Sequence, residues 1–353
     1  MRKLQVFVSR VSRVSRVSWA PWAGGAALVL AALVPLRVAA AATGYHVLGE
    51  IAIGGEGGWD YLTADSAARR LYVSHGTHVV VIDLDAGKVV GDIPDTPGVH
   101  GIAIAADLNR GFISNGRGNN ITVFDLKTLK ATGTVPAGEN PDAIRYDQVS
   151  HRVFAFNGRS KNATVIDAKA STVAATIPLP GKPEFSVADG KGKVYVNIET
   201  TSELVEIDAA TAAVTKKYSL APCEEPSGLA IDAKDRRLFS VCGNRMMVVS
   251  DPDSGKVMAT PAIGAGSDGV AFDPALGYAF SSNGDGTLTI VQQTGGKWDV
   301  LENIATERGA RTIAVDEKTH KVYLPTAKAG AAAPGGGRAP FLPNTFKVLV
   351  VGK

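Results

Sequence analysis

The sequence predicts an all-β protein, a seven-bladed β-propeller in which each blade is a four-stranded antiparallel sheet. Three observations predict this fold. An aromatic residue recurs at steps of 40 to 44 residues, namely at Tyr72, Phe112, Phe154, Tyr195, Phe239, Phe280 and Tyr323. Short β-branched and aromatic runs fill each interval, and Gly, Asp, Asn and Pro separate them as in successive hairpins. A period of this length, with four short strands per repeat, is typical of propeller blades.

The first 42 residues do not follow this pattern and resemble a secretory signal peptide. They contain six basic residues and no acidic ones, with an apolar stretch from about Ala23 to Val34 followed by small residues. The stretch is short for a membrane span. We therefore expect residues 1–42 to be removed on export and residues 43–353 to form one propeller domain in the periplasm or outside the cell. An uncleaved anchor is the alternative.

Removal of this leader reverses the sign of the net charge. The full chain carries +3, whereas residues 43–353 hold 31 basic and 34 acidic residues, a formal charge of −3. No basic patch with interleaved aromatic residues remains, which argues against nucleic acid as a partner. We expect a monomer whose mature chain has no membrane span.

Each repeat supplies four strands, named a to d from the axis outward. In repeat 1, strand a ends at Asp65, strand b contains Tyr72, strand c ends at Asp83 and strand d begins at about Lys88. The aspartate that ends strand c can accept backbone N–H groups in a turn. It recurs at Asp83, Asp125, Asp167, Asp208 and Asp251.

The two ends of the domain lack complete blades. Residues 45–53 resemble an outer strand without a blade of its own, and residues 346–351 resemble a third strand without a fourth. We expect the N-terminal strand to pair antiparallel with Lys347–Val351. The last blade would then be complete and the ring would have no loose edge.

An insert interrupts blade 7 between its strands b and c. Residues 327–345 are rich in Ala, Gly and Pro and show no periodicity. This composition predicts a flexible loop. The alternative is a lid over the site face, with Phe341 and Leu342 as its apolar tip.

The repeated phrases resemble those of the YVTN-repeat, YncE-like seven-bladed propellers of the bacterial envelope. The resemblance covers nearly all of residues 43–353 and is carried by Leu71-Tyr72-Val73-Ser74, Val194-Tyr195-Val196-Asn197, Thr164-Val165-Ile166-Asp167 and Gly228-Leu229-Ala230-Ile231-Asp232. It implies the fold and export. It does not imply a particular function, because the repeated residues are scaffold positions.

One repeat position, five residues before the aspartate that ends strand a, stays polar but varies in chemistry. The residue after it is often Gly, as crowded innermost strands require. Because every strand a begins at the same face, we expect these polar residues to converge around one mouth of the central channel. They are Asp60, His100, Asp142, Glu184, Ser227, Asp268 and Arg311.

A second candidate ring lies three residues past each aromatic, where strand b ends on the same face. Three of its asparagines precede Gly, so the alternative is that they are kept for tight turns. The ligand-binding candidates of this ring are His75, Asn115, Asn157 and Asn283, with Asn197 beside the apolar Ile198.

One side of the mouth is a candidate metal site. Asp142 and Glu184, with Asn157 nearby, are expected to offer only oxygen ligands and no cation, whereas Arg311 neutralises the other side. Two like charges ~4 Å apart repel by about 4 kcal/mol at an effective dielectric of 20, so the cluster needs a cation or raised pKa values. Oxygen ligands favour Ca²⁺ or Mg²⁺ over zinc.

Two function classes fit these residues. The first is a non-catalytic binding module that holds a small molecule at the channel mouth or binds an envelope protein. The second is a divalent-metal-assisted, lactonase-like hydrolase or lyase, with His100 as the best candidate base because neutral imidazole accepts a proton near pH 7. The first is favoured, because the sequence has no nucleophile motif, Gly-rich phosphate loop, zinc-ligand spacing or haem motif.

The two cysteines are expected to pair. Cys223 precedes blade 5, and Cys242 ends strand b of the same blade. In an exported protein with two cysteines a disulfide is the default. A free thiol at the site is the alternative.

Overall fold

The computed structural model describes residues 16–19, 42–331 and 339–353. The predicted leader therefore lies almost entirely outside the described residues, as does the centre of the blade 7 insert. Residues 16–19 have no regular secondary structure. The propeller belongs to one compact unit, Ala41–Lys353. In the part of the chain that the structure describes, no helix is long and apolar enough to cross a membrane.

Strand β1 (His46–Ala52) precedes the first blade, and four strands then form each of blades 1 to 3. Blade 1 consists of β2 (Leu62–Asp65), β3 (Arg70–His75), β4 (His78–Asp83) and β5 (Lys88–Ile93). Blade 2 consists of β6 (Val99–Ala105), β7 (Arg110–Asn115), β8 (Asn120–Asp125) and β9 (Ala131–Pro136). Blade 3 consists of β10 (Pro141–Asp147), β11 (Arg152–Asn157), β12 (Asn162–Asp167) and β13 (Thr172–Pro178).

Blades 4 to 6 repeat the arrangement, and blade 7 supplies three strands of its own. Blade 4 consists of β14 (Pro183–Ala188), β15 (Lys193–Ile198), β16 (Glu203–Asp208) and β17 (Ala213–Ser219). Blade 5 consists of β18 (Pro226–Asp232), β19 (Arg237–Cys242), β20 (Met246–Ser250) and β21 (Val257–Ala259). Blade 6 consists of β22 (Ser267–Asp273), β23 (Tyr278–Asn283), β24 (Thr287–Thr294) and β25 (Lys297–Ala305). Blade 7 consists of β26 (Ala314–Asp316), β27 (Lys321–Thr326) and β28 (Lys347–Gly352). Two single-turn 3₁₀ helices, Ala106–Leu108 and Glu199–Thr201, lie in connections.

The ring closes as the sequence predicts. The seventh sheet has the order β1-β28-β27-β26, so β1 is the outer strand of the last blade. It runs antiparallel to β28, with His46 opposite Gly352 and Ala52 opposite Lys347. The predicted fold class, an all-β propeller of seven four-stranded antiparallel blades, is confirmed.

The hydrophobic cores lie between neighbouring blades. Phe154 of blade 3 packs with Val194 and Val205 of blade 4, and Phe112 of blade 2 packs with Val153 of blade 3. All seven repeated aromatics are at most 2% exposed. They contribute large apolar area where adjacent sheets meet, which is why the aromatic recurs once per blade.

The aspartates that end strands c hold the hairpins to strands d, as expected. Asp83 Oδ1 accepts hydrogen bonds from the backbone N–H groups of Asp85 and Ala86, at 2.9 and 2.7 Å. Asp125, Asp167 and Asp251 bind two such groups each. These carboxylates are therefore structural.

The described ends of the blade 7 insert are paired with each other. The Leu342 N–H donates to the Lys328 carbonyl at 2.8 Å, and Ala329 forms a β-bridge with Phe341. The Phe341 ring lies 4.4 Å from the ring of Trp59. Phe341, which was expected at the apolar tip of a lid, thus packs against Trp59, the residue before Asp60.

Candidate functional site

The innermost strands bring the seven polar residues of the first ring to one end of the channel. Each lies at the start of an innermost strand or just before it. Hydroxyls on strand b fix some of them from the preceding blade: Ser114 Oγ donates to the Asp142 carbonyl at 2.5 Å, and Ser282 Oγ donates to the Arg311 carbonyl at 2.6 Å. The ring is therefore held by backbone contacts as well as by its side chains.

Six of the seven residues line one cavity of about 230 Å³, which we call the acidic chamber. It is lined by Asp60, Tyr61, Asp142, Lys182, Glu184, Glu199, Ser227, Asp268 and Arg311. Five of these side chains are carboxylates. His100 lines the neighbouring cavity and reaches the chamber through its contacts with Asp60 and Asp142.

Two aromatic side chains meet across the channel at the chamber. Tyr61 of blade 1 lines the chamber and packs edge-on against Phe185 of blade 4, with ring centroids 4.9 Å apart. Tyr61 is 6% exposed, and its burial raises its pKa well above the usual value. Beside them, Arg145 donates to the Ser186 carbonyl at 2.8 Å. These three side chains occupy the channel next to the carboxylates.

His100 joins two carboxylates of the chamber. Its Nδ1 lies 2.5 Å from Asp60 Oδ2 and 3.6 Å from Asp142 Oδ1. Burial opposes a charge on the imidazole, but the hydrogen bond to Asp60 and the charge of Asp142 outweigh burial and raise the pKa of His100 to about 9. The free chain is therefore expected to hold His100 as a cation at neutral pH, which removes it as a base in that state.

Asp142 is the chamber carboxylate whose negative charge is least compensated by neighbouring groups. It is 8% exposed, and its Oδ1 accepts no hydrogen bond from the described residues. Burial raises its pKa to about 7, while the charge of His100 acts in the opposite direction. An uncompensated buried carboxylate favours a bound proton or a bound cation.

Arg311 neutralises the sector formed by blades 6, 7 and 1, as the sequence indicates. Its Nε donates to Asp268 Oδ2 at 2.8 Å, and its Nη2 lies 3.5 Å from Asp60 Oδ1. Burial raises the pKa of Asp268 in spite of this ion pair, because Asp60 adds a second negative charge.

The sector around Asp142 and Glu184 has a cation, contrary to expectation. Lys182 forms ion pairs with Glu184 and with Glu199, the latter at 2.5 Å. Burial and the neighbouring Asp142 nevertheless raise the pKa of Glu184 to about 9. The premise that this sector has no cation is therefore wrong, while the assignment of Asp142, Glu184 and Asn157 as Ca²⁺ or Mg²⁺ ligands stays a prediction.

The asparagines of the second ring are part of the blades and do not face the mouth. Asn115 Nδ2 donates to Asn120 and Thr122, Asn157 Nδ2 to Asn162 and Thr164, and Asn283 Nδ2 to Thr287 and Thr289. Asn197 Nδ2 donates to the Ser227 and Gly228 carbonyls. All four are fully buried, and none is among the described residues that line the chamber. Their amides bind neighbouring strands, and neither Asn115, Asn157 and Asn283 nor the glycines that follow them have the positive φ of a left-handed turn.

His75, which was also expected at the mouth, is not among the described residues that line the chamber. It is 1% exposed, its ring stacks on Phe346 with centroids 4.3 Å apart, and neither ring nitrogen has a hydrogen-bond partner among the described residues. Burial, and secondarily His78, lowers its pKa to about 4. His75 is a neutral core side chain.

Cys223 and Cys242 form a disulfide within blade 5, with their Cα atoms 5.5 Å apart. Both are buried, and Cys242 lies opposite Pro226, the residue before Ser227. The bond therefore ties the entry of strand a to the end of strand b at the chamber.

Sequence reasoning missed Tyr61, Phe185 and Lys182. Tyr61 and Phe185 occupy the repeat position that is Gly in three other blades, at Gly101, Gly228 and Gly269. Two large aromatic residues at a position that is otherwise often Gly could have been noticed in the sequence. Lys182 lies two residues before Glu184, and no repeat position marked it. Its role follows only from its contacts.

Comparison with solved structures finds a similar fold in another protein. The chain is similar in structure to hydrazine synthase from Kuenenia stuttgartiensis, with a TM-score of 0.66 at 14% sequence identity. The match covers 76% of this chain and 92% of that chain. At this identity the likeness shows the fold alone. No protein-family model matches the chain, and no curated protein matches its sequence.

Proposed function

We propose that the protein is an exported, YncE-like propeller that binds a small molecule with a positively charged group in the acidic chamber. The seven in-register repeats support the family assignment. The leader-like residues 1–42 and the Cys223–Cys242 disulfide support export. The ligand class follows from the charge of the chamber.

The carrying observation is the unbalanced negative charge around Asp142. Five carboxylates line the chamber, but Glu184 holds a proton below about pH 9, so four carboxylates face the three cations Lys182, Arg311 and the adjoining His100 once Asp142 is ionised. Asp142 retains a buried oxygen that accepts no hydrogen bond from the described residues. A ligand ammonium group in the chamber would supply the missing positive charge.

The surroundings of Ser227 favour binding over nucleophilic catalysis. Its Oγ donates to the Ser267 carbonyl at 3.2 Å and not to a base. A serine nucleophile needs a base within hydrogen-bonding reach. We therefore place the protein with binding modules.

Calorimetric titration with a series of n-alkylamines at pH 8 tests this proposal. We expect at least one amine to bind, and Asp142→Asn to weaken that binding about tenfold or more. Glu139→Gln is the matched control, because Glu139 is an exposed carboxylate on the same face. Failure of every amine to bind, or equal binding by Asp142→Asn, would contradict the proposal.

A metal-assisted hydrolase is the second candidate, and one grouping favours it. Ligand atoms of Asp60, His100 and Asp142 lie within 4.8 Å of one another. An imidazole with two carboxylates fits a divalent ion such as Zn²⁺ or Mn²⁺ better than Ca²⁺. In this candidate His100 is a ligand, and the bound ion would polarise a carbonyl of the substrate.

Metal analysis of the purified protein distinguishes the two candidates. Stoichiometric Zn²⁺ or Mn²⁺ that is lost in His100→Ala and retained in Asn157→Ala, together with hydrolysis of a γ-lactone, would favour the hydrolase. Amine binding that persists in EDTA would favour the binding module.

A further inference from the structure

A second cavity of about 420 Å³ adjoins the acidic chamber, and its charge has the opposite sign. We call it the arginine recess, because Arg117, Arg159 and Arg311 line it. Arg117 and Arg159 are exposed, and their side chains have no hydrogen bond or ion pair with the described residues. Two guanidinium groups in this cavity are therefore available to an anion.

The backbone holds both exposed arginines in place. The Arg117 N–H donates to the Pro97 carbonyl, and the Arg159 N–H donates to the Glu139 carbonyl, each at 3.2 Å. Both arginines follow an Asn-Gly pair at the end of strand b, in blades 2 and 3. Each loop is thus anchored to the segment that leads into His100 or Asp142.

Arg311 adds a third positive charge to the recess. Its Nε is taken by Asp268, but its Nη1 is buried and has no acceptor among the described residues. Asp60, the carboxylate of the recess, already contacts His100 and Arg311. Guanidinium groups bind carboxylates through paired N–H donors, so this set suits a ligand carboxylate.

The recess and the chamber are contiguous, because Asp60 and Arg311 line both. Together they have the size of a small-molecule pocket, for which about 300–1,000 Å³ is usual. A ligand that spans them meets carboxylates at one end and guanidinium groups at the other. A singly charged ligand satisfies only one end.

We propose that the ligand is a small zwitterion of the amino-acid type, with its ammonium group in the acidic chamber and its carboxylate in the arginine recess. The inference rests on the proposed function for the ammonium end and adds the carboxylate end. Electrostatic complementarity at both ends fixes the direction in which the ligand binds.

Paired probes of equal length test the two ends separately. The mature chain is titrated in EDTA with ω-amino acids from glycine to 8-aminooctanoate, with the matching n-alkylamines and with the matching n-alkanoates. We expect at least one amino acid to bind tenfold or more tightly than its matching amine, and the alkanoates to bind more weakly than the amino acid.

Substitution of the two exposed arginines tests whether the tighter binding of the amino acid depends on the arginine recess. In Arg117→Gln/Arg159→Gln the amino acid should bind no more tightly than its matching amine. Arg245→Gln is the matched control, an exposed arginine on the same face that is not among the described residues of the recess. It should retain the full preference.

The outcomes separate this inference from the proposed function. Amines that bind as tightly as every amino acid would overturn the zwitterion and leave the cation-binding chamber intact. A preference that survives the double arginine substitution would also overturn it. Failure of both amines and amino acids to bind would overturn the proposed function as well.

Discussion

Asp142 is the chamber carboxylate whose protonation state should respond most directly to a cation bound at the channel mouth. It is buried, one of its oxygens accepts no hydrogen bond from the part of the chain that the structure describes, and its pKa is raised to about 7. A cation that enters the chamber favours the ionised carboxylate, so binding is coupled to proton release. Binding of the cation is therefore expected to strengthen as pH rises through 7.

Asp142→Asn is expected to stabilise the protein at pH 8. The pKa of Asp142 is raised in the fold from its ordinary value of 3.8, first by burial. Its contribution to stability is therefore complete below about pH 4 and is lost as pH rises from about 4 to 7. The neutral amide avoids this loss, so the free energy of unfolding should increase by up to ~4 kcal/mol at pH 8 and change little at pH 4.

Urea unfolding at both pH values, in EDTA, measures this difference. Asp251→Asn is the control with the opposite sign, because backbone hydrogen bonds from Ser254 lower the pKa of Asp251 and its ionised form is the stabilising one. A loss of stability in Asp142→Asn at pH 8 would mean that the ion pair with His100 outweighs the cost of burying the charge.

His100 is expected to titrate near pH 9 because it bonds to Asp60. In Asp60→Asn the imidazolium loses that hydrogen bond and one neighbouring charge, so its pKa should fall by about one unit or more. Proton NMR of the His100 ring in EDTA follows the titration. A wild-type midpoint at the ordinary value of 6.5 would show that burial prevails over the two carboxylates.

At the scale of single elements, blade 5 has the shortest outer strand and a covalent bond near the chamber. Strand β21 has three residues, and the Cys223–Cys242 bond joins the segment before β18 to the end of β19. The bond holds the edge of the blade where Ser227 enters the ring. We infer that the disulfide stabilises this blade.

Removal of this disulfide is expected to cost about 3 kcal/mol of unfolding free energy, because it frees a loop of about 19 residues in the unfolded chain. Cys223→Ala/Cys242→Ala, unfolded in urea, measures the loss. Wild-type protein kept in reductant should match the double variant. Two titratable thiols in the denatured, unreduced protein would contradict the bond.

For the whole molecule, β1 decides whether the ring is closed. It is the outer strand of blade 7, and without it β28 would present an unpaired edge. Ile51 is buried in the cluster that also contains Phe346 and Val348. The first and last segments of the domain therefore stabilise each other.

A chain that begins at residue 54 is expected to melt at least ~10 °C lower than one that begins at residue 43, or to aggregate through the exposed edge. The chain from residue 43 is the control, since it retains β1. Thermal unfolding followed by circular dichroism measures both. Equal melting temperatures would show that closure by β1 contributes little.

The fold could be predicted almost completely, whereas the side chains that meet at the candidate site could be predicted only in part. The repeat located all four strands of each blade and placed Asp60, His100, Asp142 and Asp268 at one end of the channel. It also assigned Asn157 and His75 to the site, although both are buried and packed inside blades. Sequence position sets the end of a strand at which a residue lies, but packing sets the direction of its side chain.

By itself the sequence determined the number of blades, the closure of the ring and the face that carries the polar residues, because local strand and turn patterns repeat with a fixed period. Only the tertiary structure decided which charges compensate one another. Lys182 pairs with Glu184 and Glu199, His100 joins Asp60, and Asp142 Oδ1 accepts no hydrogen bond from the described residues. These contacts join side chains of different loops and blades, and a charge is satisfied or not by distances of a few ångströms that no repeat encodes.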